Sequence, residues 1–442
     1  MKHDDTNDDR RESLDQFIGR DGFSPDLPSD FATRGDNAGL SWSLRVLMYM
    51  MSGVKVGTLD IVLPNGSTRR FEGSEPGPHG LWRIKSERLM RHLLAGGEVG
   101  IGDAYLDDCW ETPDLTRLLM VMYLNEPHYK GPFEINWLGR FWGMVKHKLK
   151  ANTRRTAKKN IEYHYDLGNE FYKMWLDETM AYSSAVFRAG ESGDASGGTY
   201  IKPNETLMDA QINKFQLMFE RLDLKAGHTL LEIGSGWGGF AIHAAKHAGC
   251  RVHSITLSSE QYAEAKLRAE KAGVADRVTF EIRDYRDVTD TYDRVVSIEM
   301  YEAVGEEYWP GYFAAIAKAL KPGGIAAIQG ITINPAIFDN YRSKRDFIQK
   351  YIFPGGMLCP PGLFQDLARS AGLLPANPSF YARDYADTLA AWHRNVLGVR
   401  EQIVKQFDER FLRMWRYYLS YCECGFRTGS IDLMHLTLNK PA

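Results

Sequence analysis

Cysteine is scarce in this chain of 442 residues: Cys109, Cys250, Cys359, Cys422 and Cys424 form an odd set with no framework spacing, which excludes a disulfide scaffold. Long apolar runs are missing too. No stretch approaches the ~20 residues of a spanning helix, and 46–51 is a run of the length that a core absorbs. The chain reads as one without transmembrane segments. Nor does it open with a charged, apolar and small-residue leader, since six acids fall among the first sixteen residues. Few thiols and no leader together predict a reducing, cytoplasmic setting. Charge is nearly balanced at −3, so no polyanion partner follows from the total. What is present, 44% hydrophobic and 25% charged residues, suits a folded protein of two or three domains at ~150 residues each.

Residues 1–40 are polar, lack an apolar period and read as a disordered lead-in. Residues 41–135 read as a small mixed domain, with alternation over 57–63, an Asn65-Gly66 hairpin signal and a partner strand over 67–72. A helix through Leu89, Met90, Leu93 and Leu94 stops at Gly96-Gly97. Composition then changes abruptly over 136–160. Eight cations, Arg140 and Lys159 the outermost, occur with no acid among them and adjoin Trp137, Phe141, Trp142, Met144 and Val145. That mixture suits an anionic membrane surface, at about 1 kcal/mol per cation. A solvated linker is the plainer alternative, and nucleic acid is disfavoured because no binding motif accompanies the patch. Farther on, strands over 229–233, 251–257, 278–282, 294–298 and 325–328 alternate with helices over 240–247 and 258–272. Such alternation predicts an α/β fold with a doubly wound parallel sheet.

Leu231-Glu-Ile-Gly234-Ser-Gly236-Trp-Gly238-Gly239 closes the first of these strands and opens a helix. Glycine in such a turn lets the backbone approach a ligand. An NAD site would want a carboxylate about 20 residues on, at the end of the next strand. That place holds Ile255-Thr-Leu-Ser258, and Glu260 already belongs to the following helix. NAD is disfavoured, and glycines that merely pack strand against helix are the bland alternative.

The turn resembles the S-adenosylmethionine (SAM) loop of class I methyltransferases, and with Trp237 it resembles the cyclopropane-fatty-acyl-phospholipid synthases. Other motifs of that family follow in order: His164-Tyr-Asp-Leu-Gly-Asn169, Tyr182-Ser183, Thr256 with Glu260-Gln261, Asp284-Tyr-Arg, Glu302-Ala-Val-Gly305, Lys321-Pro-Gly-Gly324, Tyr351-Ile-Phe-Pro-Gly-Gly356, and Tyr417-Tyr-Leu through Cys422 to Phe426-Arg427. The resemblance runs from about residue 160 to the end and, more loosely, through the small domain. It implies a class I methyltransferase (Rossmann-like) catalytic domain over 161–442, SAM as cofactor and a homodimer. It also implies a peripheral enzyme on the inner face of the membrane, converting cis double bonds of phospholipid acyl chains to cyclopropanes. Gly234, Gly236 and Glu232 would then meet the methionine and ribose portions of SAM, Thr256, Leu257 and Gln261 the ribose and adenine, and Asp284 and Tyr285 the adenine. Tyr182 and Ser183 would close the site.

An alkene is a feeble nucleophile, so such a site must exclude water and align the double bond with the methyl donor. The cation that forms needs a nearby negative charge or aromatic faces, and a base must then remove a proton. By resemblance the base is a bound bicarbonate, oriented by Glu302, receiving a hydrogen bond from Tyr385 and touching the backbone of Ile331. Ser184 and Gln329 stand where the best-known bacterial members carry cysteine and histidine, and both retain hydrogen-bonding capacity. A displaced base would let the cation shift a hydride and end as a branched chain, so a lipid C-methyltransferase is the alternative enzyme. A lipid-binding protein with a vestigial cofactor fold is the non-enzymatic one. Cys422 matches a cysteine often called catalytic, but without an evident base beside it the thiol reads as near the site and not as a nucleophile. Cys422, Cys424 and His435 lack a zinc-finger spacing, so no metal is expected. The plainer roles are helix capping for Glu302 and core packing for Tyr385.

Overall fold

A computed structural model describes residues 40–129, 167–188 and 205–442. The basic stretch between Arg140 and Lys159, together with His164 and Asp166, lies outside the described residues. The described chain falls into two compact units, the first of 40–129 with 397–429 and the second of 167–188, 205–396 and 430–442.

In the first unit, α1 (Trp42–Met51) precedes β1 (Val56–Val62), β2 (Thr68–Glu72) and β3 (Glu75–Ile84). Gly66 at φ +84 makes the β1–β2 hairpin, and β3 returns parallel to β1. Next come α2 (Arg88–Gly96), α3 (Glu98–Leu106), the short β4 (Trp110–Glu111) and α4 (Leu115–Leu124). Asn125, fully buried, accepts from the N–H groups of Lys55 (2.7 Å) and Val56 (2.9 Å), tying the end of α4 to the start of β1. Residues 397–429, expected within a catalytic domain from 161 to the end, cluster with this unit. The helix Glu409–Arg427 is held there by buried polar contacts. Arg413 donates to the carbonyls of Tyr105 (2.5 Å) and Trp110 (2.8 Å), and Thr116 donates to Glu423 at 2.8 Å.

The second unit opens with α5 (Asn169–Lys173) and α6 (Leu207–Arg221), whose Thr206 and Asp209 form a capping box. It continues through β5 (Thr229–Ile233), α7 (Gly239–Ala248), β6 (Arg251–Thr256), α8 (Ser259–Lys271), β7 (Val278–Ile282) and β8 (Tyr292–Ile298). Then follow α9 (Trp309–Ala319), β9 (Leu320–Ile333), α10 (Pro361–Ser370), β10 (Leu374–Phe380), α11 (Ala382–Gly398) and β11 (Ile431–Asn439). The seven-stranded sheet has the order β10-β11-β9-β8-β5-β6-β7. Neighbours from β9 to β7 run parallel, whereas β11 is antiparallel to both β9 and β10. The wholly parallel expectation is thus amended at one edge. Adjacent strand residues face opposite cores: Leu231 and Val295 pack with Trp309, Phe313 and Ile316, while Leu230 and Val296 pack with Phe215, Phe240 and Phe280. Burial on both faces is what a doubly wound sheet requires. This is the class I methyltransferase fold. No helix among the described residues is long and apolar enough to cross a membrane.

Candidate active site

β5 has β6 on one side and β8 on the other, so successive crossovers leave it in opposite directions. Ligands of open α/β sheets bind at such a switch point, beyond the carboxyl ends of the strands. Beyond β5, Gly234 (φ +96) and Gly236 (φ +48) carry the chain through a left-handed bend. The N–H groups of Gly234 and Ser235 both donate to Ile255 at 3.0 Å, pinning the bend to β6. A Cβ built on Gly236 would meet nothing within 4 Å, so the bend faces open space, as a backbone cradle for SAM must. Trp237 is buried and donates from its indole to Asn169 Oδ1 at 2.7 Å. The end of the His164–Asn169 motif thereby clasps the glycine turn from outside.

Glu232 is buried at the end of β5, where Ser254 donates to it. Burial pushes its carboxyl up to about 8, against the pull of Ser254 and of the Lys214 charge. Lys214 of α6 is fully buried and donates to Ser183 Oγ at 2.7 Å. Burial draws its ammonium down to about 8, opposed chiefly by Glu299. Tyr182 lies among Tyr172, Trp175 and Trp392, with centroids 5.4, 5.7 and 5.4 Å away. Thr256, Leu257 and Gln261 sit where β6 meets α8, and Thr256 donates to the Gln261 amide at 3.0 Å. Asp284 follows β7 with its carboxylate in a bidentate pair with Arg286, Nε 2.8 Å and Nη2 2.5 Å away. Tyr285, pushed up to about 12 by burial, packs on Tyr312 at 5.7 Å.

On the other side of the switch point the structure departs from expectation. The carboxylate at the centre is Glu299, which the sequence reading passed over. Leaving β8, the chain enters the left-handed region at Glu299 (φ +51), a conformation rare outside glycine that costs of order 1–3 kcal/mol and gathers at functional sites. Glu299 Oε1 accepts from Ser184 N–H at 2.8 Å and from the Gln329 amide at 2.7 Å, and Oε2 accepts from Tyr385 OH at 2.6 Å. Burial raises its carboxyl above the ordinary range, partly offset by Tyr385, Lys214, Ser184 and Gln329. Met300, the next residue, packs against the glycine bend, since a Cβ on Gly234 would lie 3.3 Å from its Cγ.

Glu302 stands apart. Its Oε1 accepts from Ile331 N–H at 2.6 Å, while its buried Oε2 has no hydrogen-bond partner. Burial and the neighbouring charge of Glu299 push this carboxyl up to about 8. Bicarbonate therefore does not fit as expected: Ser184, Gln329 and Tyr385 already hold a carboxylate, and Ile331 is taken by Glu302. Ser184 also contributes differently, through its backbone, because its hydroxyl donates to Ala185 O at 2.8 Å. Cys422 lies on the helix Glu409–Arg427, which belongs to the first unit.

Sequence reasoning passed over Glu299 and Lys214, and it weighed His435, which contacts Gln329, only as a zinc ligand. The one available signal was for Glu299: an acid at a strand end, three residues before an acid already singled out.

Comparison with known proteins identifies the family. Residues 152–436 match the family described as mycolic acid cyclopropane synthetase. Tuberculostearic acid methyltransferase UfaA1 of Mycobacterium tuberculosis is 36% identical over 83% of this chain and 84% of its own. The cyclopropane-fatty-acyl-phospholipid synthase of Escherichia coli K12 is 32% identical over 81% and 87%. The solved structure of mycolic acid cyclopropane synthase CmaA1, complexed with SAH and CTAB, superposes with a TM-score of 0.58 at 26% identity, covering 64% of this chain and 98% of that one. Sequence identity of this extent, on the same fold, places the chain in the cyclopropane synthetase family of SAM-dependent lipid methyltransferases.

Proposed function

We propose that this enzyme methylates the cis double bond of unsaturated phospholipid acyl chains, with the Glu299 carboxylate as the base that completes the reaction. The observation carrying this reading is the convergence of three donors on Glu299 beside the glycine bend. When bound, SAM supplies an electrophilic methyl group. Gly234 and Gly236 would leave room for it, the ionised Glu232 would take its ammonium, and Tyr182 with its aromatic neighbours would exclude water. Glu299 faces the cation that develops on the acyl chain, and an anion fixed in a dry site stabilises such charge without reorganising. Its carboxylate then accepts one proton, so the lipid gains a single CH2 overall.

Loss of that proton from the new methyl group closes a cyclopropane directly. If the hydride on the methylated carbon first moves to its neighbour, the same loss leaves a methylene branch. A carboxylate tethered to the chain cannot follow the new methyl group as a free bicarbonate could, and slower deprotonation leaves time for the hydride to move. The tethered Glu299 therefore favours the branched product, in keeping with the methyltransferase name of UfaA1. The basic stretch between Arg140 and Lys159 would hold the enzyme on anionic membranes.

Expression of the full chain in cells fed methyl-labelled methionine, with NMR of the extracted lipids, tests the reading. Labelled vinylic methylene signals support the branch, ring protons would replace it with the cyclopropane, and unlabelled acyl chains would overturn both.

A further inference from the structure

Gln329 and His435 face each other in register across β9 and β11, both fully buried. The Gln329 nitrogen lies 2.7 Å from Glu299 Oε1 and 3.3 Å from the Ser184 carbonyl. Both neighbours are acceptors, so the NH2 end must point at them. The amide oxygen then faces His435 Nε2 at 2.8 Å. Two acceptors cannot meet there, so Nε2 must carry a hydrogen. His435 Nδ1 is buried with no hydrogen-bond partner, and a second proton on it would be an uncompensated buried charge. Burial, with Arg221 and Lys214 as the nearby cations, holds the ring well on the neutral side. Tyr381, its ring centroid 4.4 Å away, braces the imidazole.

We propose that His435 is a positioning residue for the base: as the neutral Nε2–H tautomer it fixes the Gln329 amide so that its NH2 is always presented to Glu299. The polarity runs from imidazole N–H through amide to carboxylate, and hydrogen bonds in such a chain polarise one another. An imidazole like the one that the best-known family members carry at the position of Gln329 is thus supplied here from the opposite strand, one group removed from Glu299. Without the donor at 435 the amide can turn over, setting its oxygen against the carboxylate.

The inference rests on Glu299 as the base, but its first test does not. In 15N-histidine NMR of the full-length protein, with the His435→Gln spectrum subtracted, His435 should show a proton on Nε2 and a bare Nδ1, unchanged from pH 6 to 9 (roughly the span in which an ordinary histidine titrates). A proton on Nδ1, or an imidazolium, overturns the proposal. In turnover, His435→Leu should lose about tenfold in kcat, keep its KM for SAM and raise the pH of half-maximal rate by about one unit. His435→Gln, which restores an N–H donor, should recover most of both. Unchanged kcat and pH midpoint in His435→Leu, or no recovery in His435→Gln while it still binds SAM, also overturns it. Should Glu299→Gln prove fully active, the function assigned to Glu299 fails while the tautomer result stands.

Discussion

The two sides of the switch point are built on different principles. On the β5–β6–β7 side the strand ends are shaped largely by backbone: a left-handed bend at Gly234 and Gly236, tied to Ile255 by two N–H groups, beside strand-end residues bonded to one another. On the β8–β9 side the centre is one side chain, Glu299, held by donors from positions 184, 329 and 385. A cradle for a cofactor common to many enzymes can be made from chain geometry. The base proposed for one particular carbocation needs an anion in one place, and the place of Glu299 is made by distant segments folding together.

If this contrast is right, substitutions on the two sides should separate chemistry from cofactor binding. The largest effect is expected from Glu299→Gln, which keeps shape and removes the base: kcat should fall about 10²–10⁴-fold, with SAM affinity by calorimetry unchanged. An equal loss of SAM binding would erase the distinction. Next comes the mirror experiment. Glu232→Gln should weaken SAM binding about 10–100-fold, the worth of a hydrogen bond between charged groups, while kcat at saturating SAM changes less. The pH dependence has a definite sign. Glu232, pushed up to about 8, is mostly neutral below that value and holds an ammonium only when ionised, so SAM affinity should rise with pH toward 8 and the rise should vanish in Glu232→Gln. Tyr385→Phe is expected to be milder, about tenfold in kcat. Because the lost hydrogen bond stabilises the charged carboxylate, the rate should need a higher pH; an unshifted profile would detach Tyr385 from the base.

The same contrast explains what could be read from the sequence. Strands β5, β6 and β7 and the caps of their helices lie within a residue or so of where periodicity put them, because glycine turns and Ser258 mark the boundaries locally. The glycine motif led to the cofactor and the family for the same reason. β10 and β11 escaped because an antiparallel edge is joined by contacts far apart in sequence, Leu374 with Asn439 and Ile431 with Ile333. Glu299 escaped for a related cause. Nothing in Ser-Ile-Glu-Met-Tyr-Glu302 distinguishes the first acid from the second until Ser184, Gln329 and Tyr385 are brought around one of them. The resemblance gathered those donors around a bound bicarbonate, whereas in the fold they surround the carboxylate of Glu299.

The smallest expected effect is therefore the most telling. With the donor set filled by Glu299, removing bicarbonate from carefully degassed buffer should change kcat by less than about two-fold. The complementary variant is Glu299→Gly. Its φ of +51 suits glycine without strain, and the missing side chain leaves Ser184 N–H, the Gln329 amide and Tyr385 OH facing a space the size of a small oxyanion. This variant should be as slow as Glu299→Gln without additives. Added bicarbonate should restore its rate in a saturable manner, by about tenfold or more, whereas Glu299→Gln, whose amide still occupies the space, should not respond. A wild-type enzyme that stalls without bicarbonate would mean that the ion and Glu299 act together. A glycine variant deaf to bicarbonate would mean that the three donors serve to hold Glu299 in shape and do not form an anion site in their own right.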